Sequence, residues 1–266
     1  MFVDSITAII LGLVEGVTEF LPISSTGHLI IINQWLHFSP AFTSLFDIVI
    51  QLGAIAAVVI YFRKRLWPFH KNPPQKKSTK ILWYKTLLAV FPALVIGALF
   101  GQTIEEKLFH PLVVAIALFV GGIILVCIDK KTVPPKILDI EDLSYQKALC
   151  IGLIQCLAMI PGTSRSAATI VGARLLGANR KVSVEFSFFL AIPTMVAAAA
   201  YSLLSHGTTI TLRESILLGI GFITALTVAL VVIRYVMQYV QRHDFAVFGY
   251  YRLALGTLIF LFFFLR

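Results

Sequence analysis

Apolar residues in this chain gather in long runs separated by short polar segments. Six runs, roughly 43–62, 82–101, 110–128, 184–204, 215–237 and 247–265, reach the length of about 20 residues that a membrane-crossing helix requires. Two others do not. The runs 2–14 and 148–160 are each about 13 residues long and lead into Pro22 or Pro161, where hydroxyl-rich residues follow. The pattern predicts that a short helix enters the membrane, breaks at the proline, and is followed by a second short helix, about 24–36 or 164–176, that leaves by the same face. The two segments also resemble each other. Leu11-Gly-Leu-Val-Glu15 is echoed by Ile151-Gly-Leu-Ile-Gln155, and Pro22-Ile-Ser-Ser-Thr-Gly27 by Pro161-Gly-Thr-Ser-Arg-Ser166. The expected fold is therefore an all-α polytopic membrane protein of one domain, 1–266. It has six transmembrane helices and two re-entrant hairpins arranged as inverted-topology repeats. The first repeat covers about 1–128 with its hairpin at 2–36, and the second about 146–266 with its hairpin at 148–176.

Composition agrees, with 58% apolar and only 13% charged residues against roughly 25% charged in soluble domains. The net charge of +9 does not indicate a nucleic-acid partner, because the cations cluster between apolar runs as orientation signals do. Segment 63–85 holds eight of them, Arg63, Lys64, Arg65, Lys71, Lys76, Lys77, Lys80 and Lys85, and no acid, which places it in the cytoplasm. Lys130, Lys131, Lys136, Lys147, Arg174, Arg180, Lys181, Arg234, Arg242 and Arg252 then fall on the same side, leaving Lys107, Arg213 and Arg266 outside. With three spans per half, the two hairpins enter from opposite faces and their breaks meet near the bilayer midplane. The first residues lack a basic region, so no cleavable signal peptide is expected. Cys127, Cys150 and Cys156 lie in apolar surroundings without metal-ligand spacing and read as packing residues.

This topology puts Glu15, Glu19, His28, Asp47, Arg165 and Glu185 at membrane depth, where an unpartnered charge costs on the order of 3 kcal/mol or more. Asp47 and Glu185, near the starts of their spans, suit internal ion pairs or helix caps as well as function. Glu15 and Glu19 share one helical face, and their repulsion calls for a bridging cation, a nearby Arg165 or a retained proton. After each proline the run reads as a helix start, with Ser24 or Ser25 capping the first and Gly162-Thr163-Ser164 opening the second. Two helix N-termini facing one cavity make an anion cradle. The Arg165 guanidinium and the hydroxyls of Ser24, Ser25, Thr26, Thr163, Ser164 and Ser166 supply further donors. His28 lies within one helical turn of both Ser24 and Ser25, in reach of either hydroxyl.

At these residues the chain resembles the bacterial undecaprenyl-diphosphatase family, the bacitracin-resistance (UppP or BacA) type. The likeness runs through Glu15-Gly-Val-Thr-Glu19-Phe-Leu-Pro-Ile-Ser-Ser-Thr-Gly-His28, Phe46-Asp47-Ile-Val-Ile-Gln51-Leu-Gly-Ala, Pro161-Gly-Thr-Ser-Arg165-Ser166 and Glu185-Phe-Ser-Phe. It implies hydrolysis of undecaprenyl diphosphate to the monophosphate, recycling the lipid carrier of cell-wall synthesis. It also implies resistance to bacitracin, a drug that acts on the substrate, and a divalent cation, Mg²⁺ or Ca²⁺. The expected location is the cytoplasmic membrane, with a site open to its outer face. Glu15, Glu19, Ser25, His28 and Arg165 are the implied catalytic residues; the chemistry of the residues themselves makes Glu15 and Glu19 the expected metal ligands, or the groups that position water, and Ser24, Thr26, Thr163, Ser164 and Ser166 the expected substrate contacts. Ser25 is the preferred nucleophile, activated by His28 or Glu19; His28 itself or a metal-bound water fits the same residues. One departure is Ala167, where the family pattern leads us to expect glycine. The competing reading is a secondary transporter or flippase for an anion, because inverted repeats with broken helices are the usual build of such proteins.

Overall fold

The computed structural model describes residues 2–69, 72–130, 134–206 and 210–264, so Lys71, Lys131 and Arg266 of the orientation pattern lie outside the described residues. Among those described, six helices are long and apolar enough to cross a membrane: α3 (Pro40–Tyr61), α5 (Pro73–Leu108), α6 (Pro111–Ile128), α9 (Arg180–His206), α10 (Leu212–Tyr239) and α11 (Ala246–Phe264). The chain is a multi-pass membrane protein. The remaining helices are α1 (Phe2–Thr18), α2 (Ser25–Ile32), the single turn α4 (Arg63–Leu66), α7 (Tyr145–Gln155) and α8 (Arg165–Leu175), with a 3₁₀ turn at Cys156–Met159. Span boundaries follow the apolar runs except at α5. That helix begins well before residue 82, carrying Lys76, Lys77 and Lys80 on its first turns, because lysine is a good helix former and Pro73 suits a helix start.

Both predicted breaks occur. α1 ends before Pro22 and α7 before Pro161, since proline lacks the N–H that would continue the ladder. The restart uses one device twice. Ser24 and Ser164 are the N-caps, and their Oγ atoms accept from the N–H of Gly27 (3.3 Å) and Ala167 (3.2 Å). They are also the only non-glycine residues with positive φ among those described, at 72° and 70°. Such backbone costs roughly 1–3 kcal/mol and persists where the surroundings enforce it, as at functional sites. Ala167 sits in the first turn of α8, 4% exposed, so its methyl group is accommodated in the core.

The halves interlock. α1 packs on α10 while α7 packs on α5; α3 lies against α10 while α9 lies against α5; and α6 pairs with α11, as α3 does with α9. Small residues permit the closest crossings. A Cβ on Gly12 would stand 2.7 Å from the Gly221 carbonyl oxygen and one on Gly16 2.8 Å from that of Ala225, both on α10. Gly152, which matches Gly12 in the repeat, abuts the backbone of Ala89 on α5 in the same way. Outside, Leu99, Phe91, Val120 and Ile223 are exposed as lipid-facing residues should be. Inside, Phe20 at the first break meets Phe188 of α9 edge to face, with ring centroids 5.1 Å apart.

Several ion pairs gather at one end. Arg65 binds Glu185 at 2.5 Å and Asp139 at 2.8 Å, while Arg174 and Arg180 share Asp129. Glu185 is therefore an ion-pair residue and is not among those lining the cavity between the breaks. Arg252 corrects the orientation reading: it is no loop cation but fully buried, because its guanidinium is solvated by backbone carbonyls inside the protein. Hydropathy counts every arginine alike and could not distinguish it.

Candidate active site

The two breaks meet around a cavity of about 220 Å³. Of the residues expected there, Glu19, Ser24, Ser25, Thr26, Ser164 and Arg165 line it. Glu19 is the junction. One carboxylate oxygen accepts from the Arg165 Nη2–H at 3.0 Å and the other from the Ser25 hydroxyl at 2.8 Å. A residue before the first break is thus tied to the first turn of both restarted helices, across 146 positions of sequence. Arg165 is steadied by donating from Nη1 to the Ser187 carbonyl at 2.9 Å, leaving its buried Nε without a partner among the described residues.

Four expected residues stand behind this wall. Glu15 is completely buried, one helical turn from Glu19, with neither carboxyl oxygen hydrogen-bonded among the described residues. Ser166 donates to the Leu21 carbonyl at 2.9 Å, lacing the second restart to the first break. Thr163 contributes its backbone carbonyl to Arg252 at 3.0 Å. His28 does not reach either serine hydroxyl. Its Nδ1 lies 2.7 Å from the Ser24 carbonyl oxygen, which can only accept, so Nδ1 carries the proton; in the neutral ring Nε2 then accepts from the Tyr251 hydroxyl at 2.6 Å. In this structure His28 is thus bonded to the strained cap residue and to Tyr251, and not to the Ser25 hydroxyl.

Sequence reasoning missed three participants. Tyr251 engages His28 from α11, and nothing local marks it. Gln155 lines the cavity from the end of α7, and its only sequence signal is its match to Glu15 in the repeat. Arg252 donates to the carbonyls of Pro22, Gly162, Thr163, Ala117 and Leu118, so one side chain clamps both breaks to α6. Gly121 makes room for it, since a Cβ there would collide with the guanidinium. Asp47, like Glu15, has a buried carboxyl oxygen without a partner among the described residues.

The chemistry available is that of an anion site with a carboxylate and a hydroxyl in contact. Two helix N-termini and Arg165 favour a phosphate, and the Glu19–Ser25 pair offers a base beside a nucleophile. The donor set also suits a hard divalent cation. Glu15 and Glu19 stand one helical turn apart, and Mg²⁺ is commonly held by one or two carboxylates with substrate phosphate and water completing its shell. No group of three or more His, Cys, Asp or Glu side chains forms an all-protein cage among the described residues.

Comparison with known proteins gives the family of the chain. Residues 8–258 match the family described as "Bacitracin resistance protein BacA". Among curated relatives, "Undecaprenyl-diphosphatase 1" of Clostridioides difficile (strain 630) is 52% identical over 262 residues, covering 97% of this chain and 96% of the relative. "Undecaprenyl-diphosphatase" of Lachnoclostridium phytofermentans is 47% identical over 264 residues, with 97% and 96% covered. That of Enterococcus faecalis is 45% identical over 270 residues, with 98% and 97% covered. A match that covers both breaks and reaches into the last of the six long helices makes this chain a member of the BacA bacitracin-resistance protein family.

Proposed function

We propose that this chain is an undecaprenyl-diphosphate phosphatase of the bacterial cytoplasmic membrane, with Glu19, Ser25 and Arg165 at its reacting centre. The observation that carries the reading is the bridging of Glu19 by Arg165 and Ser25 from the two restarted helices. Arg165 and the free N–H groups of α2 and α8 bind the diphosphate. The incoming anion competes with Glu19 for the guanidinium and so frees a carboxylate to act as a base on Ser25. The Ser25 oxygen attacks the terminal phosphorus, its proton passes to Glu19, and the P–O–P bond breaks with release of undecaprenyl phosphate. Water then attacks the phosphoserine, liberating phosphate and restoring the hydroxyl. Glu15 and Glu19 are the residues that would hold Mg²⁺ or Ca²⁺, whose charge offsets that developing on the leaving phosphate.

The swapped packing of α1 on α10 and α7 on α5 supports re-entrant hairpins in inverted repeats, and the clustering of cations at one end supports a site opening on the outer face. Bacitracin resistance follows if the enzyme removes the diphosphate lipid that the drug sequesters. The test is phosphate release from undecaprenyl diphosphate by purified protein in detergent, where no compartments exist and transport cannot register. Glu19→Gln, Ser25→Ala and Arg165→Ala should each lower kcat/KM by roughly a hundredfold or more. Undiminished release by the Glu19 and Arg165 variants overturns the site, and an inert wild type overturns the function. Phosphate trapped during turnover on any residue other than Ser25 overturns the assignment of the nucleophile.

A further inference from the structure

Gln155, the last residue of α7, is 2% exposed and lines the same cavity as Glu19, Ser25 and Arg165. Neither its Nε2 nor its Oε1 has a hydrogen-bond partner among the described residues. Buried polar side-chain atoms in folded proteins are nearly always satisfied, and a leucine would fill the space without the desolvation cost of an orphaned amide. The carboxamide is therefore to be answered by something that enters the cavity. The Nε of Arg165, buried and equally unpartnered, makes the same demand from the same cavity. Two sets of unanswered N–H donors around one space describe an anion with several oxygens. The repeat adds a reason for the residue type. Gln155 stands where the first half has Glu15, and a carboxylate there would repel the anion that Arg165 attracts, whereas the near-isosteric amide donates to it.

We propose that Gln155 is a substrate-contacting residue. Its Nε2–H donates to a phosphate oxygen of the head group beside Arg165, and its Oε1 accepts from a P–OH or an ordered water. The identity of the anion rests on the phosphatase reading, while the contact itself does not.

The experiment compares the full chain in detergent as wild type, Gln155→Leu and Gln155→Glu. It measures the rise in melting temperature caused by inorganic pyrophosphate, and KM and kcat for phosphate release from undecaprenyl diphosphate. Without ligand, Gln155→Leu should melt at or above the wild-type temperature, because the unliganded protein loses no hydrogen bond. Protection by pyrophosphate should collapse and KM rise by roughly tenfold to a hundredfold, the range for a hydrogen bond to a charged group. Gln155→Glu, with a carboxylate facing the anion, should raise KM at least as far. A Leu variant that fails to fold, or melts well below wild type without ligand, reveals a structural role and overturns the proposal. So does a Leu variant with wild-type KM and protection, or a wild type that pyrophosphate does not protect. A protected wild type that releases no phosphate sinks the phosphatase reading alone, and the protection measurements still decide whether Gln155 meets the anion.

Discussion

A guanidinium with no solvent exposure survives in this core because five carbonyl oxygens converge on it. The Nη1 of Arg252 reaches Pro22 and Thr163 at 3.3 and 3.0 Å, its Nη2 reaches Ala117 and Gly162 at 3.0 Å each, and its Nε reaches Leu118 at 3.4 Å. The carbonyls of Pro22, Gly162 and Thr163 belong to chain that the prolines forced out of helix, while those of Ala117 and Leu118 lie on α6, and one arginine joins the two sets. Arg252→Met leaves them unsatisfied and is expected to destabilise the fold by about 3 kcal/mol or more, with loss of phosphatase activity. Arg252→Lys keeps the charge but sets three donors against five acceptors, and should fall between wild type and Arg252→Met in both denaturation midpoint and kcat. Equal stability of all three would show that the clamp is dispensable. Among the catalytic candidates, Glu19 and Arg165 were legible in the sequence because a carboxylate pair and a lone arginine in apolar surroundings are conspicuous. The true bond of His28, to Tyr251, was not, since 223 residues separate the two rings.

At the level of elements, the active site depends on how closely α1 and α7 approach the long helices that carry them. Gly12 and Gly16 let α1 lie directly on α10, and this contact sets the position of Glu19 one turn further on. Gly12→Val should push α1 away, costing about 1–3 kcal/mol in detergent stability and lowering phosphate release more than tenfold. The control is Gly219→Ala on α10, where an added Cβ meets nothing within 4 Å; it should be neutral or slightly stabilising through helix propensity. Activity unchanged in the Gly12 variant would mean that the crossing does not govern the site. The breaks themselves were readable, because proline and serine act locally: one ends a helix and the other caps the next. The left-handed backbone of Ser24 and Ser164 was not, since serine ordinarily caps in extended conformation and only the packed surroundings impose positive φ.

Over the whole molecule, the gathering of cations toward one end implies a fixed orientation in the bilayer. In a background lacking Cys127, Cys150 and Cys156, a membrane-impermeant thiol reagent applied to intact cells should label Leu212→Cys, a position 81% exposed at the start of α10. It should spare Leu138→Cys, 62% exposed beside the Arg65–Asp139 ion pair, until the membrane is opened. The reverse pattern would invert the topology. Hydropathy alone determined the six spans, and proline followed by serine determined where two further helices stop and restart; both depend on interactions a residue makes with solvent or with neighbours a few positions away. Only the tertiary structure decided which partner each buried polar group takes: Ser25 for Glu19, His28 for Tyr251, Arg252 for the broken backbone, and, among the described residues, none for Gln155. Those choices are made between residues far apart in the chain, where the cost of an unsatisfied group in a water-free interior selects one arrangement from many that the same apolar pattern allows.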